Sequence, residues 1–340
     1  MFPVAACGWR PHAVPRLSLR KSQRSVDPLS PPAPQAAHFD SGENAWILSR
    51  YADVLAALRE PALCQEGAEN KPAGSARARV AAALGAASLA EWQSQVESLA
   101  ETAIASLPVG PPVDLLAEVI RPWTREVAIL SLPGSADCRQ QLRQILRRRA
   151  ASGRFAANRL LTAARFKFFF RGRPGEKSAF IGISDTLPAF LANAWVALLQ
   201  HPVQLAHLRD CPDSMPAAVE ELLRYAGLVH SLTRRAASEV SLAGVSIGAG
   251  QRVILKIGSA NRDPRQFCNP NTLDLARRPA GHLALGHGAH SCVGSMVLRL
   301  AAAALTKPFA ETFAAARIYG KIDWRWGETL VSPAALVVVM

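Results

Sequence analysis

Cys292 stands in the stretch HLALGHGAHSCVGSMVLRLAAAAL, residues 282–305, among Gly286, Gly288 and Gly294 and just ahead of an unbroken run of helix formers. That order predicts a tight glycine-rich loop, one thiol, then a helix. A thiolate so placed lies near the positive end of a helix dipole, among unpaired backbone N–H donors. Both effects lower a cysteine's pKa and make it a better metal ligand. Glycine at 288 and 294 lets the backbone approach something large and flat where a Cβ would collide. No second Cys or carboxylate follows at ligand spacing, which excludes a zinc site with its roughly four ligands. One thiolate suffices for the axial position of a haem, whose in-plane ligands come from the porphyrin. The bland alternative is a buried structural Cys beside a turn.

Two further pairs could do chemistry or support it. Asp185 and Thr186 lie inside Ala179–Leu199, the most hydrophobic helical stretch. A hydroxyl can hold an ordered water there while a nearby carboxylate relays protons inward. Alternatively, Asp185 caps a helix restarted around Pro188. Glu221 and Arg224 in AAVEELLRY are three apart on one helical face, close enough to pair.

Taken together these stretches resemble the cytochrome P450 family. GHGAHSCVG is similar to its haem loop, Phe-Gly-x-Gly-x-His/Arg-x-Cys-x-Gly, with Leu285 in place of the leading Phe. Asp185 and Thr186 fall on its acid–alcohol pair, Glu221 and Arg224 on its Glu-x-x-Arg pair, and SANRDP (Ser259 to Pro264) on another familiar segment. The resemblance implies Cys292 as ligand of haem b iron, with Gly286, Gly288 and Gly294 shaping the loop. It also implies Arg234, His282, His290 and Arg79 as contacts of the haem, chiefly its propionates. Asp185 and Thr186 would be the catalytic relay, and Glu221 and Arg224 would support the loop from behind.

The implied fold is mainly α with a small β region, one large domain with haem between the central helix and the Cys292 loop. The implied reaction is insertion of one oxygen atom into a small hydrophobic substrate, with electrons from a ferredoxin and ferredoxin reductase. This chain departs from the family at three places: Leu285, Ile183 where a small residue normally leaves room for oxygen, and Thr272–Leu273 where an Arg–Phe normally gives Glu221 a further cation. The chain between Gly134 and the central helix is also short, so the helices before residue 179 that roof the pocket are abbreviated. Those departures keep open a truncated or degenerate non-catalytic relative, or a peroxide-dependent or non-oxidative haem-thiolate enzyme.

The elements that must position these groups follow from pattern. The 340 residues, 49% hydrophobic and 19% charged, suit a globular protein with a sizeable core. No apolar run is expected to reach the ~20 residues of a membrane span; Leu187 to Leu199 falls short. Six scattered cysteines without a CxxC pair suit a reducing cytoplasm. Net charge is +13, and Arg139 to Arg173 holds eleven Lys or Arg and no acid. That field could attract an acidic protein, anionic lipid or nucleic acid. No nucleic-acid fold motif accompanies it, so no nucleic-acid partner is expected, nor membrane association.

Residues 1–36, rich in Pro, Arg and Ser, read as a disordered tail ahead of a domain at 37–340. Trp46 to Leu48 reads as a strand, then a helix capped by Ser49 and stopped by Pro61. Helices are predicted at Glu91–Leu107 and Val113–Leu132, and Phe166, Phe168, Phe169 and Phe170 form an apolar cluster beside the basic segment. EVSLAGVSI and QRVILKI read as strands, as does Ala335–Met340.

Overall fold

The chain's most apolar stretch forms its longest helix. In the computed structural model, which describes residues 27–65, 78–82, 89–108, 110–151, 156–277, 281–288, 291–327 and 329–339, one helical rod runs from Pro174 to Gln200. It consists of Pro174–Ile181, a π turn at Gly182–Thr186, and Leu187–Gln200. Its 27 residues and mean hydropathy of 1.3 would suffice to cross a membrane, which corrects the expectation that no run is long enough. Two-thirds of its apolar window is buried within the protein, as befits a core helix: from Leu187 to Leu199 every side chain except Ala189 is buried.

Helices carrying the chemistry-bearing residues pack on this rod. Trp195 stacks on Phe309 with ring centroids 3.9 Å apart and donates through Nε1 to the Thr306 hydroxyl at 3.3 Å. That contact fixes helix Ser295–Thr312, which begins just after Cys292, against the centre. Helix Leu89–Ala105 packs on its other side, with Trp92, Val96, Ala100 and Ile104 buried. Helix Met215–Ala226, which carries Glu221 and Arg224, also contacts both the rod and the Ser295 helix.

The β region is small. One sheet has five strands in the order β1 (His38–Asp40), β2 (Ala45–Leu48), β8 (Arg252–Leu255), β5 (Leu232–Ala236), β3 (Leu63–Gln65). Strand β2 runs parallel to β8, Trp46 beside Val253, and the other pairs are antiparallel. β6 (Val240–Leu242) and β7 (Val245–Ile247) form a hairpin, and β10 (Trp324–Trp326) pairs with β11 (Val331–Pro333). β4 (Val113–Asp114) and β9 (Arg317–Ile318) flank β12 (Val337–Val339). The architecture is mainly α with a small β region, as the sequence predicts.

Several local expectations need correction. Val113–Leu132 is not one helix. β12 captures Val113 and Asp114, and the Asp114 carboxylate then accepts the backbone N–H groups of Leu116 and Leu336. A π turn, Leu116–Ile120, and helix Arg121–Leu130 follow. Ser49 does not cap helix Tyr51–Arg59; its hydroxyl is bonded to the Gln35 backbone, and the Tyr51 N–H is taken by the Asp263 carboxylate instead. Residues 27–36, assigned to the tail from composition, are packed on the domain. Leu29 is buried in the main core, and its carbonyl accepts from Arg262 at 2.7 Å.

Within the basic segment, helices Ala136–Ala151 and Ala156–Phe169 pack on each other. Arg143 pairs with Glu126 at 2.8 Å and Arg139 reaches the Leu132 carbonyl, so part of that charge is spent internally. Phe169 and Phe170 are buried and Phe166 meets Phe170 and Phe180, but Phe168 is exposed.

Candidate active site

The loop ahead of Cys292 is held by its own backbone. Gly286 N–H bonds to Leu283 O at 3.0 Å, Ser291 N–H to Gly288 O at 3.1 Å, and Cys292 N–H to Leu285 O at 2.7 Å. Gly286 and Gly288 sit at φ +69° and +68°, the left-handed region where other residues are strained. A Cβ at Gly288 would also come within 3.2 Å of the Leu58 carbonyl. The close approach that Gly288 permits is therefore to helix Tyr51–Arg59, and not only to a flat ligand. Gly294 has φ −88° and serves as the N-cap of the Ser295 helix, a conformation open to any residue. His290 lies outside the described residues. Cys292 itself is exposed and free, three residues before a helix N-terminus.

Behind the loop lies a buried charge cluster. Glu221 and Arg224 are fully buried and make two parallel bonds, Nε–Oε2 at 2.7 Å and Nη2–Oε1 at 2.8 Å. Arg224 spends its remaining donors on the carbonyls of Asn261, Pro270 and Thr272. The cation thought missing at Thr272–Leu273 comes from further along: Arg277 Nε donates to Glu221 Oε1 at 3.1 Å. The bend through Asn269, at φ +45°, carries the chain back so that Arg277 also bonds the carbonyls of Cys268, Asn269 and Thr272. Glu221 is thus fully partnered.

A second network escaped sequence reasoning. Glu220 accepts from His282 Nε2 at 3.1 Å and from both Nε and Nη2 of Arg299, the latter at 2.9 Å. Burial pushes the Glu220 carboxyl up, but the hydrogen bonds from His282 and Arg299 outweigh it and hold it at about 2. His282, expected on a propionate, ties the loop's start to the Glu-x-x-Arg helix through Nε2, its Nδ1 having no partner among the described residues, while Arg299 ties the helix after Cys292 to the same carboxylate. The signal available in the sequence was the doubled acid at Glu220–Glu221. SANRDP is a brace too. The Asn261 side chain accepts the Leu283 N–H at 2.7 Å, and Arg262 lies 3.7 Å over the Tyr225 ring.

Arg234 on β5 is buried, and among the described residues its guanidinium has one hydrogen bond, to the Thr233 carbonyl. Burial alone lowers its pKa. A buried cation with spare donors calls for an acidic partner. Arg79 is exposed on a short helix at 78–82, its backbone against Gly175 at the start of the central rod.

On that rod the π turn falls on the acid–alcohol pair. Asp185 is exposed and accepts the Ser184 hydroxyl at 3.0 Å; Thr186 is half-buried. Thr186 occupies the N-cap position of the following segment with helical φ and ψ and makes no side-chain cap bond, so the pair does not serve as a cap. Asp185 opens onto a cleft of about 270 Å³ that Arg121 and Arg125 also line. Burial, then the nearby Arg325, lowers the pKa of Arg121. Ile183, in the same π turn, is buried.

A cytochrome P450 family model matches residues 207–306, the stretch that contains the Glu-x-x-Arg pair, the braces and the Cys292 loop. The biotin biosynthesis cytochrome P450 of Bacillus subtilis is 44% identical over 118 residues, 35% of this chain and 30% of that protein. The cytochrome P450 monooxygenase PikC of Streptomyces venezuelae is 45% identical over 119 residues, 35% of this chain and 29% of PikC. In structure, CYP109E1 of Bacillus megaterium, solved with corticosterone, superposes with a TM-score of 0.74 at 17% identity, over 89% of this chain and 94% of that one.

The chain has the cytochrome P450 fold, and its residues 207–306 match that family's model.

In sequence it spans about a third of the curated relatives it matches, while the cytochrome P450 fold extends over nearly all of it. Members of the family bind haem b, and the residues present fit that group. The described residues hold no cluster of three or more His, Cys, Asp or Glu that could bind a bare ion, yet they present one exposed thiol on a closed loop. A lone thiolate matches a metal that arrives with its own macrocycle. The spare donors of buried Arg234 match a propionate carboxylate.

Proposed function

We propose that the chain is a haem-thiolate monooxygenase that inserts one atom of dioxygen into a small hydrophobic substrate, by hydroxylation or epoxidation. A ferredoxin and its reductase would supply two electrons. Cys292 carries this reading: an exposed thiol on a loop closed by Leu285 and braced by buried Glu221 and half-buried Glu220. When bound, haem b would supply dioxygen activation and O–O cleavage, favoured by electron density from a thiolate. Cys292 would hold the group and Arg234 would orient one propionate.

The remaining work falls to the central rod. Asp185 meets solvent through the Arg121–Arg125 cleft and would take up a proton at its carboxylate. Thr186 Oγ1 would hold the water that carries the proton inward. Ile183, on the same π turn, limits how much water enters with it. The protein named PikC is described as a monooxygenase, which supports the reaction class. The basic surface, with Arg147, Arg165, Lys167 and Arg171 exposed, suits docking of an acidic electron donor. A reducing cytoplasm is the proposed location.

One observation favours a second reading. Ile183 is 8% exposed where the family has a small residue, which would suit a peroxide-dependent enzyme or a haem-binding relative without monooxygenase activity. Thr186→Ala separates them. With a ferredoxin and reductase supplying electrons, the proposed relay predicts unchanged haem content and a several-fold rise in hydrogen peroxide released per electron pair. Equal coupling in variant and wild type would mean the hydroxyl only packs, and turnover with peroxide alone would select the second reading.

A further inference from the structure

One cavity shares no residue with the Cys292 loop or the π turn. It measures about 210 Å³ and lies between the strap around Pro32 and Gln35 and the five-stranded sheet. Lys256, directly after β8, faces it beside His230, Ser259 and Trp326. The Lys256 N–H bonds to the Leu48 carbonyl at 2.8 Å, which fixes its backbone in line with the sheet. Among the described residues its ammonium has no hydrogen-bond or ion-pair partner. Burial lowers its pKa, and Glu43 and Asp40 in the β1–β2 turn act on it only by longer-range attraction.

The other donors are equally set. His230 is pinned by its N–H to Thr329 O and by its carbonyl accepting from Gly258. Its ring stands edge-on to Trp326, centroids 5.3 Å apart. Burial, then Lys256, lowers its pKa to about 4, so near neutrality it is an uncharged imidazole able to donate one N–H. The lining therefore offers one ammonium, imidazoles from His230 and His38, and a hydroxyl from Ser259, with no carboxylate, against apolar surface from Ile47, Pro32 and Trp326. A half-buried cation without a partner is partly stripped of water, and an anion that brings its own apolar body offsets that cost.

We propose that this cavity binds a small monocarboxylate, with the carboxylate on Lys256 and its hydrocarbon part against Trp326 and Ile47. One cation favours one negative charge over two. The site stands independently of the reaction assigned to Cys292.

Benzoate and its uncharged analogue benzamide probe it by titration calorimetry on the full chain near pH 7. Benzoate should bind about tenfold or more tightly than benzamide, as a charge-assisted hydrogen bond implies. Lys256→Met should abolish that preference. If Lys256→Met does not fold, acetylation of Lys256 in the wild type, mapped by mass spectrometry, gives the answer: benzoate should protect it and benzamide should not. Equal binding of the two probes, no binding of benzoate, a preference retained in Lys256→Met, or no protection of Lys256 would each overturn the proposal.

Discussion

Arg277 Nε lies 3.1 Å from Glu221 Oε1, five residues beyond Thr272, the point in the sequence where the family supplies its further cation. Glu221 is fully buried, so its charge must be matched within the protein. Arg277→Ala leaves Arg224 in place but removes one charged bond to Glu221 and three bonds to backbone carbonyls. Loss of about 1–3 kcal/mol is expected from such a removal, read as a lower urea midpoint. A midpoint matching the wild type would show the contact to be incidental.

Glu220 sets an acid limit. Its pKa is about 2 against an ordinary 4.5, so the unfolded chain binds the proton more readily. The stability it contributes is complete above about pH 4.5 and is lost as pH falls toward 2. Its carboxylate is partly exposed, which weakens the effect through solvent screening. Glu220→Gln should start from a lower melting temperature at pH 6 and lose less between pH 5 and 3 than the wild type. Parallel curves would rule out the His282–Arg299 network as the source.

Arg234 gives a prediction of opposite signs. Burial without an acidic partner costs the free protein, and a propionate removes that cost. Arg234→Leu should leave the haem-free chain as stable as before or more so, while hemin binding weakens by about tenfold, the worth of one charged hydrogen bond. Titration of hemin followed by its Soret absorbance measures the second effect and thermal melting the first. Unchanged hemin affinity would place the propionate elsewhere.

The contrast between what the sequence revealed and what it hid follows the range of the interactions. The Cys292 loop and the helix carrying Asp185 and Thr186 were legible because glycine conformation and helix periodicity are local signals, whereas the π turn at Gly182–Thr186 was not. Glu221–Arg224 was legible for the same reason, being three residues apart on one helix. Arg277 was not, since its reach depends on a bend at Asn269 that no periodicity records. His282 was assigned to a propionate from loop position alone; only tertiary packing brings it to Glu220, 62 residues away. Likewise, alternation could not show that Val113 and Asp114 leave a helical pattern to pair with β12. Ten residues of the presumed tail had polar, proline-rich composition, yet Leu29 anchors them through Arg262 and Gln35 through Ser49.

The whole account turns on whether Cys292 presents a thiolate to haem iron. The purified chain should be loaded with hemin, reduced under carbon monoxide and compared spectrally with the reduced form alone. The account predicts the red-shifted Soret band of thiolate ligation in the wild type and its complete loss in Cys292→Ala. A chain that refuses hemin under every condition, or a variant that keeps the thiolate band, would contradict it.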